Sequence, residues 1–257
     1  MLRFCSLGSG SAGNALVVEA RNGLCTTRIL VDNGFGWRAL NQRLHRAGLT
    51  CASLDAIIVT HEHGDHSGGV HGVLRQTDLL VYASAGTAAA AGFKRAARWR
   101  PLQAGVTTDL GGLAIHPVAV PHDAAEPLQF VFDDGDRRLG LLTDTGMPTP
   151  SIASALSGVA ALILECNHDE DLLAQSCYPP FLRQRIAGDH GHLSNRQAAQ
   201  LLHAIDRRHL RQIVAAHLSR ENNRPELAQA ALAKAVGGDP EDIAVADQDR
   251  GSGWLDV

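Results

Sequence analysis

Short apolar runs set the rhythm of the chain. Runs at 2–7, 15–20 and 27–31 predict three strands, with the loop Gly8-Ser9-Gly10-Ser11-Ala12-Gly13-Asn14 between the first two. Trp37, Leu40, Leu44 and Ala47 recur at helical spacing, which predicts a helix over 37–47 that stops at Gly48. A buried strand over 54–60, a short helix over 69–75 and a strand over 79–82 follow, and the alanine tract 88–91 reads as part of a helix. The second half repeats that texture. Strands are predicted at 113–120, 128–132, 139–143, 160–164, 213–216 and 243–245, and helices at 148–156, 196–207 and 225–236. No linker rich in Pro, Gly or Ser divides the halves. The pattern therefore predicts one α/β domain over 1–257, with two strand-rich blocks packed as sheets face to face and helices outside.

The strand over 54–60 delivers the densest chemistry in the chain. Thr60 to His66 read T-H-E-H-G-D-H, with three imidazoles and two carboxylates in six positions. His61 and His63 are two apart, so on extended backbone they point the same way. Asp65 and His66 follow Gly64, where the chain can reverse sharply. One loop thus offers two ligand pairs to two neighbouring metals. The zinc-protease helix motif H-E-x-x-H is excluded, because the second His comes two positions after the first and not four.

Three more ligand-type residues stand just past apolar runs. His122 follows Val118-Ala119-Val120-Pro121, Asp144 follows Leu141-Leu142-Thr143, and His217 follows Val214-Ala215-Ala216. Strand ends are where open sheets expose functional groups. Taken singly each would read as a turn residue; together, in this order after the histidine motif, they extend a metal site.

The H-x-H-x-D-H motif after a strand resembles the signature of the metallo-β-lactamase superfamily. Further segments, F-C-S-L-G-S-G-S-A-G-N at 4–14, L-V-D-N-G at 30–34, V-P-H-D-A-A-E-P at 120–127, G-H-L-S-N at 191–195 and A-H-L-S-R-E-N-N at 216–223, resemble its YycJ/WalJ-type subgroup. The resemblance implies a four-layer αββα sandwich and two divalent metal ions. By it, His61, His63 and His122 hold one metal, Asp65, His66 and His217 hold the other, and Asp144 bridges them. Imidazole and carboxylate donors without thiolate suit zinc first and manganese second. An aspartate at the bridge fits phosphoester chemistry better than lactam cleavage. Ribonuclease Z-like relatives pair a Glu after a strand with a His at a helix start as proton donor to the leaving group. Glu165 and His192 map to those roles. Asp32, at a strand end, is expected to fix the histidine turn by hydrogen bonds rather than bind metal. Ser9, Ser11 and Asn14 either donate to a phosphate or close a hairpin, and His168 and His190 are further candidates for the cleft.

The implied activity is a metal-dependent phosphodiesterase, exonuclease-like and acting on DNA ends. Two other readings compete: an esterase for small substrates such as a cyclic phosphodiester or a thioester, and a non-enzymatic scaffold that binds nucleic acid or a partner. Only about 70 residues separate Asp144 from His217, too few for the insertion of long-RNA nucleases of the ribonuclease J type.

Composition narrows the setting. Hydrophobic residues make up 45% of the 257, enough for a substantial core, and a net charge of −4 implies no global pull toward nucleic acid or membrane. The Arg clusters at Lys94-Arg95/Arg98/Arg100, Arg183/Arg185 and Arg207-Arg208/Arg211 read as solvated faces. Five cysteines, none in C-x-x-C spacing, read as reduced thiols in a cytoplasmic protein. No leader opens the sequence and no apolar run approaches the roughly 20 residues that span a bilayer, so no membrane partner is expected.

Overall fold

The computed structural model describes residues 1–95 and 97–257, with the Arg95 side chain also outside the description. Two seven-stranded sheets are built on one plan. The first contains β1 (Leu2–Gly8), β2 (Ala15–Asn22), β3 (Cys25–Val31), β4 (Ala56–Ile58), β5 (Leu80–Ala83) and β6 (Trp99–Pro101). The second contains β7 (Thr108–Leu110), β8 (Leu113–Ala119), β9 (Leu128–Asp133), β10 (Arg138–Leu142), β11 (Ala161–Glu165), β12 (Gln212–Ala216) and β13 (Ala244–Val245). A last strand, β14 (Gly253–Asp256), returns to pair with β1. Their orders are β14-β1-β2-β3-β4-β5-β6 and β13-β12-β11-β10-β9-β8-β7. Each sheet begins as an antiparallel meander and then becomes parallel, at its fourth strand in sequence, β4, in the first and at its fifth, β11, in the second.

Parallel neighbours need crossover connections, and these are helical. α1 (Trp37–Arg46), the single turn α2 (Gly64–Ser67), α3 (Val70–Leu74) and α4 (Ala85–Ala90) serve the first sheet. α5 (Pro150–Leu156), α6 (Glu170–Gln175), α7 (Pro180–Ala187), α8 (Asn195–Ala204) and α9 (Pro225–Val236) serve the second. Alternation along the strands divides the apolar side chains between layers. Leu16, Val18, Ala161 and Ile163 face the space between the sheets, where Phe4, Phe130 and Phe132 are fully buried. Val17 and Leu30 face α1, and Leu162 and Leu164 face α5, α8 and α9. The result is the four-layer αββα sandwich.

Sequence periodicity placed the long elements within a few residues. It did not predict β6, β7, β14, α6 or α7. The strands are three or four residues long, below the length at which alternation reads. α7 has no buried residue, so it carries no apolar stripe to detect.

The parallel strands of both sheets end at one rim. Asp32 follows β3, Thr60 to His66 follow β4, Asp144 follows β10, and His217 follows β12. Among the described residues, Asp32, Asp144 and His217 are the non-glycines with positive φ, at 59°, 53° and 54°. Side chains rarely accept that left-handed turn, and it clusters at functional sites.

Candidate active site and metal centre

The site starts from the buried carboxylate of Asp32. Its Oδ1 accepts from the Thr60 backbone N–H and its Oδ2 from the Thr60 hydroxyl, each at 2.8 Å. Oδ2 also accepts from His66 Nδ1 at 2.8 Å. Asp32 thereby orients the histidine turn, as expected from its place in the sequence. With the proton on Nδ1, the Nε2 lone pair of His66 faces the cleft.

The other four histidines of the cluster are oriented in the same way. His61 Nδ1 lies 3.0 Å from the Thr60 hydroxyl, and His63 Nε2 lies 3.2 Å from the Asp123 carbonyl. His122 Nδ1 donates to the Gly191 carbonyl at 3.0 Å, and His217 Nδ1 to Glu165 Oε1 at 3.1 Å. Each ring is held through one nitrogen and presents the other. Two separate groups of ligand-type side chains each span no more than 4.8 Å: His61, His63 and His122, and Asp65, His66 and His217. A third group of the same span, His61, His66 and Asp144, joins them. Asp144 Oδ2 is 3.0 Å from His66 Nε2.

Three polar atoms at the centre are buried and, with the His66 proton on Nδ1 alone, have no hydrogen-bond partner among the described residues: His61 Nε2, Asp144 Oδ2 and His217 Nε2. An orphaned buried polar atom costs about 1–3 kcal/mol. Three converging on one space, one from each group and one from the joining carboxylate, fit a divalent cation. The protonation pattern agrees. Burial alone would raise the Asp144 carboxyl, but the imidazoles of His217 and His66 hold it well below the usual carboxylate range. Burial likewise opposes protonation of His217, yet Asp144, Asp65 and Glu165 push it up to about 10. Without a metal, protons on His66 and His217 supply the positive charge that the buried carboxylates require; a divalent cation supplies it by displacing them.

Glu165, at the end of β11, is fully buried and accepts four hydrogen bonds. Oε1 takes His192 Nδ1 at 2.8 Å and His217 Nδ1 at 3.1 Å. Oε2 takes the backbone N–H groups of Thr145 and Leu193, each at 3.1 Å. Burial opposes the charge, but the two imidazoles hold this carboxyl down at about 2. His192 is partly exposed, its side chain 22% accessible, with Nδ1 3.4 Å from Asp144 Oδ1. Its ring centroid stands 5.3 Å from those of both His122 and His217. Burial lowers its affinity for a proton, but Glu165 more than offsets this and raises it above the ordinary imidazole value. The arrangement gives His192 the geometry of a candidate proton donor beside the cluster, held through Nδ1 by Glu165.

The remaining sequence candidates are spread around this centre. Ser9 is buried and its hydroxyl accepts the His217 backbone N–H at 2.9 Å. Asn14 is buried, with Nδ2 3.0 Å from His66 Nε2 and 3.3 Å from Asp65 Oδ2. Ser11 is exposed in the glycine loop. His190 is exposed, and its carbonyl accepts from Asp123 N at 3.1 Å. His168 is buried beside α7. Sequence reasoning missed Asp123, whose carboxylate lies 3.5 Å from His122 Nε2 and 2.6 Å from Arg185 Nε. Its adjacency to His122 was the available signal.

The beta-lactamase superfamily domain matches residues 27–217. This chain belongs to the metallo-β-lactamase superfamily. It is a hydrolase of that superfamily, and its His/Asp cluster is of the kind that takes divalent metal. Exodeoxyribonuclease YycJ of Bacillus anthracis is 34% identical over 250 residues, covering 91% of this chain and 89% of that protein. Exodeoxyribonuclease WalJ of Streptococcus pneumoniae serotype 2 is 32% identical over 232 residues, covering 88% and 85%. The chain is thus a member of the YycJ/WalJ group. In fold it is similar to the crystal structure of the metallo-β-lactamase fold protein YhfI from Bacillus subtilis, with a TM-score of 0.75 at 16% identity over 99% of this chain and 98% of that one.

Proposed function

We propose that this protein is a dinuclear-metal phosphodiesterase that acts as an exonuclease on DNA ends. The observation that carries the reading is the Glu165–His192 pair beside the joining carboxylate Asp144. Hydrolysis of a thioester needs no such proton donor at this position, because a thiolate departs readily, whereas an alkoxide leaving from phosphorus does. Relatives at 34% and 32% identity named exodeoxyribonuclease support DNA as the polymer.

On this reading His61, His63 and His122 would hold one ion and Asp65, His66 and His217 the other, with Asp144 available to both groups. Zinc suits five imidazoles and two carboxylates best, with manganese as the alternative. When bound, such ions act as Lewis acids toward the phosphoryl oxygens and supply a nucleophilic water near neutral pH. The chain does the rest. Asp32, Glu165, Thr60 and the carbonyls of Asp123 and Gly191 fix the ring tautomers. His192, charged through Glu165, delivers its Nε2 proton to the leaving oxygen and is recharged from solvent through its exposed edge. Among the described residues no helix is long and apolar enough to cross a membrane, and the five cysteines are all free, which accords with a cytoplasmic place of action. The test is hydrolysis of 5′-phosphorylated single- and double-stranded DNA, RNA and a ribose cyclic phosphate, each with added Zn²⁺ or Mn²⁺. DNA shortened from its ends in a metal-dependent way supports the proposal. Cleavage of the cyclic phosphate alone would replace it with a small-molecule phosphodiesterase.

A further inference from the structure

α7 has no buried residue, yet it is fixed at the rim of the metal site. Arg183 donates to the Ala174 carbonyl and so ties the helix to the end of α6. The His192 N–H donates to the Ile186 carbonyl at 2.9 Å, and the Asp123 N–H to the His190 carbonyl at 3.1 Å. Arg185 reaches furthest toward the site. Its Nε and Nη2 each lie 2.6 Å from Asp123 Oδ2. Asp123 Oδ1 in turn stands 3.5 Å from His122 Nε2 and 3.9 Å from His63 Nε2. One carboxylate thus separates the Arg185 guanidinium from two imidazoles of the candidate ligand set.

Phe181 stands four residues before Arg185, so the two are neighbours on one face of α7, one turn apart. Its ring is 71% exposed, whereas every other phenylalanine, tyrosine and tryptophan is buried or half-buried. The charge around it is positive. From Ser176 to Gly191 two arginines face a single acid, Asp189. Among the described residues Arg183 meets a backbone carbonyl and no carboxylate. Arg185 shares its one carboxylate with two histidines, and its Nη1 has no partner there. Outward from the ligand set the order is therefore carboxylate, guanidinium, solvated aromatic ring. A single strand of nucleic acid matches that order, with a phosphate for the guanidinium and an unpaired base for the ring. Surfaces that bind single strands combine positive charge with aromatic rings on which bases stack. A double helix would keep its bases away from the ring. A second copy of this chain, docked about a two-fold axis on the same face, would set the arginines of one α7 against those of the other.

We propose that the Phe181–Arg185 face of α7 holds a single-stranded segment of nucleic acid at the mouth of the site, with Arg185 on a phosphate and Phe181 under a base. The proposal rests on the nuclease reading. It is tested on metal-replete protein by fluorescence anisotropy with a labelled single-stranded oligothymidylate whose phosphorothioate linkages resist hydrolysis. Phe181→Ala should weaken binding about tenfold, within the worth of one base–aromatic stack. Phe181→Trp should keep wild-type affinity and Phe181→Leu should not, since leucine retains the apolar surface but lacks the π face. Arg185→Ala should reduce the slope of log affinity against log salt by about 0.7, the share of one phosphate on a single strand. Phe181→Ala should leave that slope as it is. A merely disturbed site would weaken binding without altering the slope. Wild-type affinity in Phe181→Ala or Phe181→Leu, or a wild-type slope in Arg185→Ala, overturns the proposal. So does a dimer in light scattering that Phe181→Ala dissolves while oligonucleotide affinity is kept. If the wild type meanwhile shortens unmodified single-stranded DNA, the nuclease reading survives that failure. A wild type that neither binds the oligonucleotide nor shortens DNA refutes both.

Discussion

Glu165→Gln should do disproportionate damage for a change of one atom. The carboxylate sits in complete burial and accepts from four donors, two imidazole Nδ1–H groups and two backbone N–H groups. Glutamine offers one acceptor oxygen and one NH₂. With the oxygen turned to the histidines, the N–H groups of Thr145 and Leu193 meet amide hydrogens. Two buried donors then lose their partner, at about 1–3 kcal/mol each, or roughly 2–6 kcal/mol in all. With the oxygen turned to the backbone, the NH₂ faces the imidazoles. They can accept only by moving their proton from Nδ1 to Nε2. That tautomer blocks the His217 lone pair now presented, unpaired, to the metal site. Either the fold loses stability or the site loses a ligand. Loss of an orienting partner ordinarily costs about 10–100-fold in metal affinity. The variant should therefore bind the ion at Asp65, His66 and His217 about 10–100-fold more weakly in a competition titration against a chromophoric chelator. Its melting temperature should fall by on the order of 10 °C in chelator, at about 2–4 °C per kcal/mol for a chain of this size. Wild-type metal affinity together with a wild-type melting temperature would refute the reasoning.

Four further outcomes follow from the same geometry. Asp144→Ala should lose both ions in metal analysis as well as turnover, because its carboxylate joins the two groups; retention of two equivalents would unseat it as the bridge. His192→Ala should keep its metal while hydrolysis of unactivated phosphodiesters slows about 10²–10⁴-fold. The loss should shrink for p-nitrophenyl esters, and equal slowing of both substrate types would remove the acid role. Apparent metal affinity should rise with pH up to about 10, where His217 loses its proton, and binding should release protons, read as a buffer-dependent heat in calorimetry. A pH-independent affinity between 6 and 9 would contradict the displaced-proton account. The last concerns Glu19, a carboxylate with no exposure that three guanidiniums, of Arg3, Arg21 and Arg28, contact at 2.6–2.7 Å. Burial opposes its charge, yet these arginines hold it at about 2, below the ordinary 4.5. A depressed folded value means stability present above about 4.5 and lost as pH falls toward 2. The shift corresponds to about 3 kcal/mol, discounted to about 2 because the arginines are partly exposed. Urea unfolding of Glu19→Gln should show a smaller loss over that window, and parallel pH profiles for both proteins would disprove it.

What the sequence disclosed depended on whether proximity in space followed proximity along the chain. His61, His63, Asp65 and His66 occupy one loop, so their spacing alone marked a candidate ligand set. His122, Asp144 and His217 were legible because each follows a buried strand, and strand ends converge when sheets stack. Glu165 and His192 have no local signature. They are 27 residues apart, and only family resemblance linked them before the fold placed the carboxylate against the imidazole. The Asp123–Arg185 contact spans 62 residues between a loop and a helix without an apolar stripe, and no periodicity encodes it. The same reason hid α7.

The three left-handed residues explain why the ligands can be so widely scattered and still meet. Asp32, Asp144 and His217 stand within two positions of the ends of β3, β10 and β12. A left-handed residue there turns the backbone abruptly instead of letting it run on from the sheet. Each costs about 1–3 kcal/mol of backbone strain, which only a heavily constrained surrounding sustains. The constraint is visible: Asp32 is tied to Thr60 and His66, His217 to Ser9 and Glu165, and Asp144 is buried beside the imidazoles of His66 and His217. The separations among Asp32, Asp144 and His217 are consequently set by the packing of the two sheets, through the phenylalanines between them, and the loop after β4 is held to that frame by Asp32. Loops around the rim, including α6 and α7, are then free to differ in length and character without disturbing the metals. Substrate preference within such a fold should therefore reside in those rim segments, while the hydrolytic chemistry stays with the strand ends.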